Sequence, residues 1–180
     1  MARASARTSS SEPLERQDYH CIELREAMAA EIRRRFPTVS TVTGDCQKRI
    51  PFEDNYFDRV VVIHVLEHLP DLPTAVTEVH RVLKPNGIFS VVLPCDPGLA
   101  YELARKISAE RVFKRRYHMP YRWFARREHI NSPAEVFHVL EQQFSIFDRA
   151  YYPLGVPVTN ANLVIGVTAR KLPASARAAA

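Results

Sequence analysis

Glycine is scarce in this chain. There are five in 180 residues, at positions 44, 87, 98, 155 and 166. A glycine-rich turn lets backbone close tightly on a nucleotide-like ligand, and the first 43 residues contain none. Cysteine is sparse as well: Cys21, Cys46 and Cys95 are widely spaced and no CxxC pair exists. That usage predicts free thiols and a reducing, cytoplasmic compartment. No apolar run approaches the ~18 residues that a membrane span requires. The opening MARASARTSSSEP is basic and serine-rich but lacks the apolar stretch of a secretory signal.

What is present is a globular composition, 46% hydrophobic with a formal charge of +5. The positive excess is local. Between Arg105 and Arg127 lie Lys106, Arg111, Lys114, Arg115, Arg116, Arg122 and Arg126. Interleaved with them are Phe113, Tyr117, Tyr121, Trp123 and Phe124. Arginines in such a patch can grip a phosphate or carboxylate. Basic and aromatic residues together also suit nucleic acid, and a solvated helix with inward aromatics is the plainer reading. No recognised nucleic-acid module appears, so a small anionic molecule is the better partner class.

Residues 1–17 lack periodicity and large apolar side chains, and read as a disordered leader. Residues 172–180 read as a disordered tail, leaving 18–171 as the folded part. Within it strands and helices alternate. Tyr19–Leu24 reads as a short strand. Leu24, Met28, Ile32 and Phe36 then recur every four residues and predict one buried helical face. Val39–Thr43 is a β-branched run. Phe57–His64 is a continuous apolar strand of the kind buried on both faces of a parallel sheet. Leu72, Ala75, Val76, Val79, Val82 and Leu83 have helical spacing, and Lys84-Pro85-Asn86-Gly87 predicts a turn before a strand at Ile88–Leu93. Leu99, Leu103 and Ile107 predict another helix, and Pro133–Gln143 a further one. Phe144–Tyr152 and Asn162–Arg170 read as strands whose short connection favours an antiparallel pair. The fold class is therefore α/β.

In such sheets, ligands sit beyond the carboxyl ends of the strands. The first strand ends in Glu23, whose carboxylate can accept both hydroxyls of a ribose or simply favour the start of the next helix. The second ends in Gly44-Asp45-Cys46. Asp45 can accept from an adenine amino group, or be an ordinary turn aspartate. The third ends at His64, followed by Val65-Leu66-Glu67-His68.

The order IEL, then GD, then IPFEDNYFDRVVVIHVLEHL, then EVHRVLKPNG resembles the type 11 methyltransferase domain of the class I S-adenosylmethionine (SAM)-dependent family. The resemblance covers roughly Tyr19–Lys171. It implies a Rossmann-like, mostly parallel sheet with an antiparallel terminal hairpin. It also implies SAM as cofactor, with Glu23 on the ribose, Leu24 flanking the adenine, Asp45 on the adenine amino group with Cys46 beside it, and His64 lining the methionine side. The family's first strand and glycine-rich loop have no counterpart before Glu23, so the reading is of a domain lacking its first strand and helix. Its implied activity is methyl transfer to oxygen or nitrogen of a small, anionic molecule. The rival readings are a non-catalytic remnant or interaction module, and an RNA-binding or RNA-modifying protein.

Glu67, His68 and His129 form the candidate catalytic group. On a helical turn His64, Glu67 and His68 share a face, and His129 can reach the same mouth. Two imidazoles and a carboxylate suit general-base chemistry or a divalent metal, while the plain alternative is a polar turn. The sequence alone assigns no metal.

Overall fold

Asp71 opens the helix that organises the larger part of the chain. Its side chain accepts from the backbone N of Thr74 at 3.2 Å, and proline occupies the first turn of α2 (Leu72–Val82). Leu72, Ala75, Val76, Val79 and Val82 form its buried stripe, as their spacing predicts. The helix ends where Leu83 turns extended and β4 (Leu83–Pro94) begins. The expected Lys84–Gly87 turn lies inside this strand. Phe57 pairs with Leu83 and Arg59 already pairs with Ile88, so four residues loop out of register. Asn86 adopts a left-handed φ of 63° there. A Cβ on Gly87 would lie 2.8 Å from the Lys84 carbonyl oxygen, so only glycine fits.

The computed structural model describes residues 17–119, 121 and 128–173. The basic-patch residues Arg122, Trp123, Phe124, Arg126 and Arg127, nearly all of the expected leader and most of the expected tail lie outside them. The chain forms two units, Met1–Pro51 and Phe52–Ala180.

In the first unit, β1 (His20–Glu23) and β2 (Ser40–Thr43) pair in parallel around α1 (Glu26–Arg35). The predicted apolar face of this helix is not buried. Leu24, Met28 and Phe36 are exposed, and Ala29 is the buried residue of α1. A two-stranded sheet offers too little surface to cover a whole helical stripe.

In the second unit, a four-stranded sheet has the order β3-β4-β6-β5. Here β3 is Phe57–Ile63, β5 is Phe144–Tyr152 and β6 is Val164–Lys171. The pair β3–β4 is parallel, while β4–β6 and β6–β5 are antiparallel. The α/β expectation with an antiparallel terminal hairpin therefore holds. The expected burial of both faces of β3 does not. Asp58, Arg59 and Val61 are exposed, because β3 is an edge strand, bonded within its sheet to β4 alone. On β4, by contrast, Phe89, Val91 and Leu93 point inward with period two and are essentially inaccessible. Phe89 meets Phe144 with ring centroids 5.1 Å apart. Val136 and Leu140 of α5 (Pro133–Glu141) complete this core. Ser132 and Glu135 cap α5 reciprocally.

Two further described helices, α3 (Leu99–Ile107) and α4 (Ala109–Tyr117), bury no residue. The Leu99, Leu103 and Ile107 stripe of α3 is helical as expected but lies exposed.

Candidate functional site

The site is built where β3 stops. His64 donates its backbone N–H to the Val92 carbonyl at 3.0 Å, one residue past the last strand pair. It then takes a left-handed φ of 53° that turns the chain away from the sheet. Histidine tolerates this region better than most residues. The following tight turn, Leu66–His68, buries Leu66 and Glu67.

A second segment is zipped onto that turn through backbone. Ile130 and Asn131 both donate N–H groups to the Glu67 carbonyl, at 2.9 and 3.1 Å. The Asn131 side-chain amide donates to the carbonyls of Leu66 at 2.8 Å and Leu69 at 2.7 Å. These bonds tie the two segments together and place His129 beside His68, with ring centroids 5.0 Å apart.

The structure thus brings His64, Glu67, His68 and His129 together. The Glu67 side chain is 2% exposed. Its Oε1 lies 3.2 Å from His64 Nδ1 and 3.8 Å from His68 Nε2, and its Oε2 is buried without a hydrogen-bond partner among the described residues. His68 Nδ1 donates to the Glu128 carbonyl, and His129 Nδ1 donates to Asp96 Oδ2 at 2.7 Å. Both acceptors are oxygens that can only accept, so each Nδ1 carries the proton and each neutral ring keeps its lone pair on Nε2.

Sequence reasoning missed Asp96, Tyr101, Arg105 and Asn131. Asp96 stands just past the end of β4 and holds both His129 and, at 3.5 Å, Arg105 Nη1. The strand-end rule applied to a fourth strand points to it. Tyr101, 6.1 Å from His129 between ring centroids, has its phenol pushed up to about 12 by burial and then by the Asp96 charge. Cys95, fully inaccessible, is pushed up to about 11 by burial.

Burial favours the neutral form of both acids, so the folded chain keeps protons that the unfolded chain releases. Their contribution to stability is complete below pH 9.0, the ordinary thiol value, and is lost as pH rises towards 11 and 12. At ~1.4 kcal/mol per unit, Cys95 alone removes about 2 kcal/mol across that window. Urea unfolding at pH about 8 and about 11 is expected to show the fall. Equal midpoints at the two pH values would count against it.

The cofactor candidates Glu23, Leu24, Asp45 and Cys46 belong to the first unit. Glu23 is half-buried, and its Oε1 accepts from the Arg25 backbone N at 3.0 Å. Asp45 Oδ1 accepts from the Gln47 backbone N at 2.9 Å, which is the turn role open to it from sequence. Leu24 is 66% exposed. Burial and the neighbouring Asp45 raise the Cys46 thiol. On α4, Lys114 pairs with Glu110 and Arg116 stacks over Tyr117. An open depression of about 550 Å³ is lined by Val112, Phe113, Arg116 and Tyr121.

This sheet order, mixed in direction and closed by an antiparallel hairpin, is a Rossmann-like methyltransferase fold. Residues 5–91 match a family model described as a methyltransferase domain. The sterol 4-C-methyltransferase strm-1 of Caenorhabditis elegans is 48% identical over 50 residues, covering 28% of this chain and 15% of that protein. A probable S-adenosylmethionine-dependent methyltransferase of Mycolicibacterium smegmatis is 41% identical over 69 residues, covering 38% and 26%. The matched stretches thus span about a quarter or less of these curated relatives. The N-methyltransferase NodS of Bradyrhizobium japonicum WM9, solved with S-adenosyl-L-homocysteine, superposes with a TM-score of 0.55 at 16% identity, covering 86% of this chain and 66% of that one. Together these matches support a class I SAM-dependent methyltransferase domain. No described helix is long and apolar enough to cross a membrane.

Proposed function

We propose that the chain takes part in methyl transfer from SAM to an oxygen or nitrogen of a small molecule bearing an anionic group. The carbon–sulfur bond of the sulfonium breaks as the carbon–oxygen or carbon–nitrogen bond forms. S-adenosylhomocysteine leaves, and the acceptor's proton passes to a base. The protein's main contribution is alignment of donor and acceptor.

The observation that carries this reading is the imidazole cluster at the carboxyl ends of β3 and β4, where α/β sheets present their ligands. His129 is the first choice of base. Asp96 fixes its tautomer, leaves Nε2 free to accept, and offsets the charge that forms. His68 and Glu67 stand beside it. In the first unit Glu23 would accept from the ribose, Leu24 flank the adenine, and Asp45 meet its amino group beside Cys46. Arginines of the basic segment would hold the acceptor's anionic group.

Isothermal calorimetry of the chain with SAM and S-adenosylhomocysteine tests this. Micromolar binding is expected. Glu23→Gln, which removes a charge-assisted hydrogen bond of about 1.5–3 kcal/mol, should weaken it about tenfold or more. A chain shown to be folded by circular dichroism that binds neither ligand at several hundred micromolar would sink the proposal.

A further inference from the structure

We infer that Glu67, His68 and His129 form a binding site for one divalent transition-metal ion of the zinc and cobalt class. The site stands on side-chain geometry and does not depend on methyl transfer. One ligand atom from each residue lies within 4.8 Å of the other two. Tetrahedral donors on zinc sit ~3.3 Å apart, so the three must close by about an ångström or slightly more, which small side-chain rotations provide.

Three further features distinguish this group from a chance cluster. First, both imidazoles are pre-set as ligands. Each is held through Nδ1, His129 by Asp96 and His68 by the Glu128 carbonyl. That leaves the Nε2 lone pairs available. The carboxylate–histidine pair at His129 is the outer-sphere arrangement that metal-ligating histidines use.

Second, the carboxylate lacks a full set of partners. Glu67 is buried and its Oε2 meets no donor among the described residues. A buried carboxylate oxygen left this way carries a desolvation cost that a cation would remove. Its nearest cationic candidates are His64 and His68. Arg105 is turned to Asp96 instead.

Third, the backbone is fixed before any ion arrives. Asn131 and the two N–H groups on the Glu67 carbonyl hold the ligand-bearing segments together. Two neutral imidazoles and one carboxylate suit a borderline cation better than calcium or magnesium, which prefer all-oxygen sets. Three protein ligands leave positions open for water or an acceptor oxygen, as in catalytic rather than structural sites. With the ion bound, the imidazoles are ligands. The base role proposed for His129 then belongs to the metal-free form.

The test uses the full chain, stripped with a chelator and with its thiols alkylated so that cysteine cannot contribute. Cobalt(II) is titrated in and followed by its visible absorption, then displaced with zinc. One equivalent of cobalt is expected, bound at micromolar concentration or tighter. His129→Ala and Glu67→Gln should each weaken it by more than about tenfold. Asp96→Asn, which removes no ligand, should weaken it about 10–100-fold, as loss of an outer-sphere partner does. A purely structural role for Asp96 would leave the spectrum and affinity unchanged in the folded variant.

Folding of each variant is checked by circular dichroism, and His68→Ala replaces any that fails. A folded wild-type chain that takes up no cobalt at 100-fold excess overturns the inference. So does uptake that both His129→Ala and His68→Ala leave intact. SAM calorimetry on the stripped chain is read separately, so failure of the metal site and failure of the methyltransferase reading are distinguishable.

Discussion

Phe89→Ala is expected to destabilise the Phe52–Ala180 unit by about 3–5 kcal/mol. The ring has no solvent exposure. It stands on β4 between Val60 of β3 and Ala169 of β6 in the pairing register, and it packs on Phe144. Truncation leaves a cavity that strands bonded on both sides cannot collapse to fill. Against a total stability of ~5–15 kcal/mol, such a loss takes a large share. The urea midpoint of the variant should fall far below that of Val61→Ala, whose side chain is 47% exposed on the sheet edge. Similar midpoints for the two variants would mean that the core is not where the burial pattern puts it.

The second large effect is expected at Asn131. Asn131→Ala removes two amide hydrogen bonds at 2.8 and 2.7 Å; the Leu66 carbonyl keeps the Leu69 backbone N–H at 3.4 Å, while the Leu69 carbonyl loses its side-chain donor. Losing one bond to a carbonyl that stays paired costs ~0.5–1.5 kcal/mol and leaving the other acceptor unpaired ~1–3 kcal/mol, so a loss of about 2–4 kcal/mol follows. The effect extends past stability, because the same bonds hold His129 against His68. Cobalt affinity should fall along with the unfolding midpoint, although Asn131 is not a ligand. An Asn131→Ala chain that keeps full cobalt affinity would show that the Ile130 and Asn131 backbone bonds to Glu67 suffice to align the site.

The fold was legible in the sequence where one periodicity dominated. The Leu72–Val82 stripe and the Ile88–Leu93 strand were readable because they face one continuous core, and hydrophobic spacing records that directly. The Leu24–Phe36 and Leu99–Ile107 stripes carry the same spacing yet lie exposed. Periodicity states which face could be buried, not whether a partner covers it. Burial of β3 failed for a related reason: its apolar run says nothing about which strands flank it.

The candidate site was legible through local spacing and strand ends. His64, Glu67 and His68 fall within five residues, and the structure brings them together with His129. What the sequence hid were the long-range partnerships. Asp96 and His129 are 33 residues apart, and Asn131 reaches back 65 residues to Leu66. No local pattern encodes either contact. They arise because a strand end and a returning loop meet at the same edge of the sheet.

The left-handed backbone at His64 separates two demands that usually coincide in one residue. The turn asks only for a side chain that tolerates φ near 53°, which asparagine, aspartate or glycine would also do. Among the described residues, the imidazole meets Glu67. A lineage could therefore exchange the ring for asparagine or glycine and keep the turn, while valine or isoleucine would spoil the turn itself. Drift at this position is channelled toward small polar replacements, so its chemistry can be lost, and regained, without the fold being put at risk.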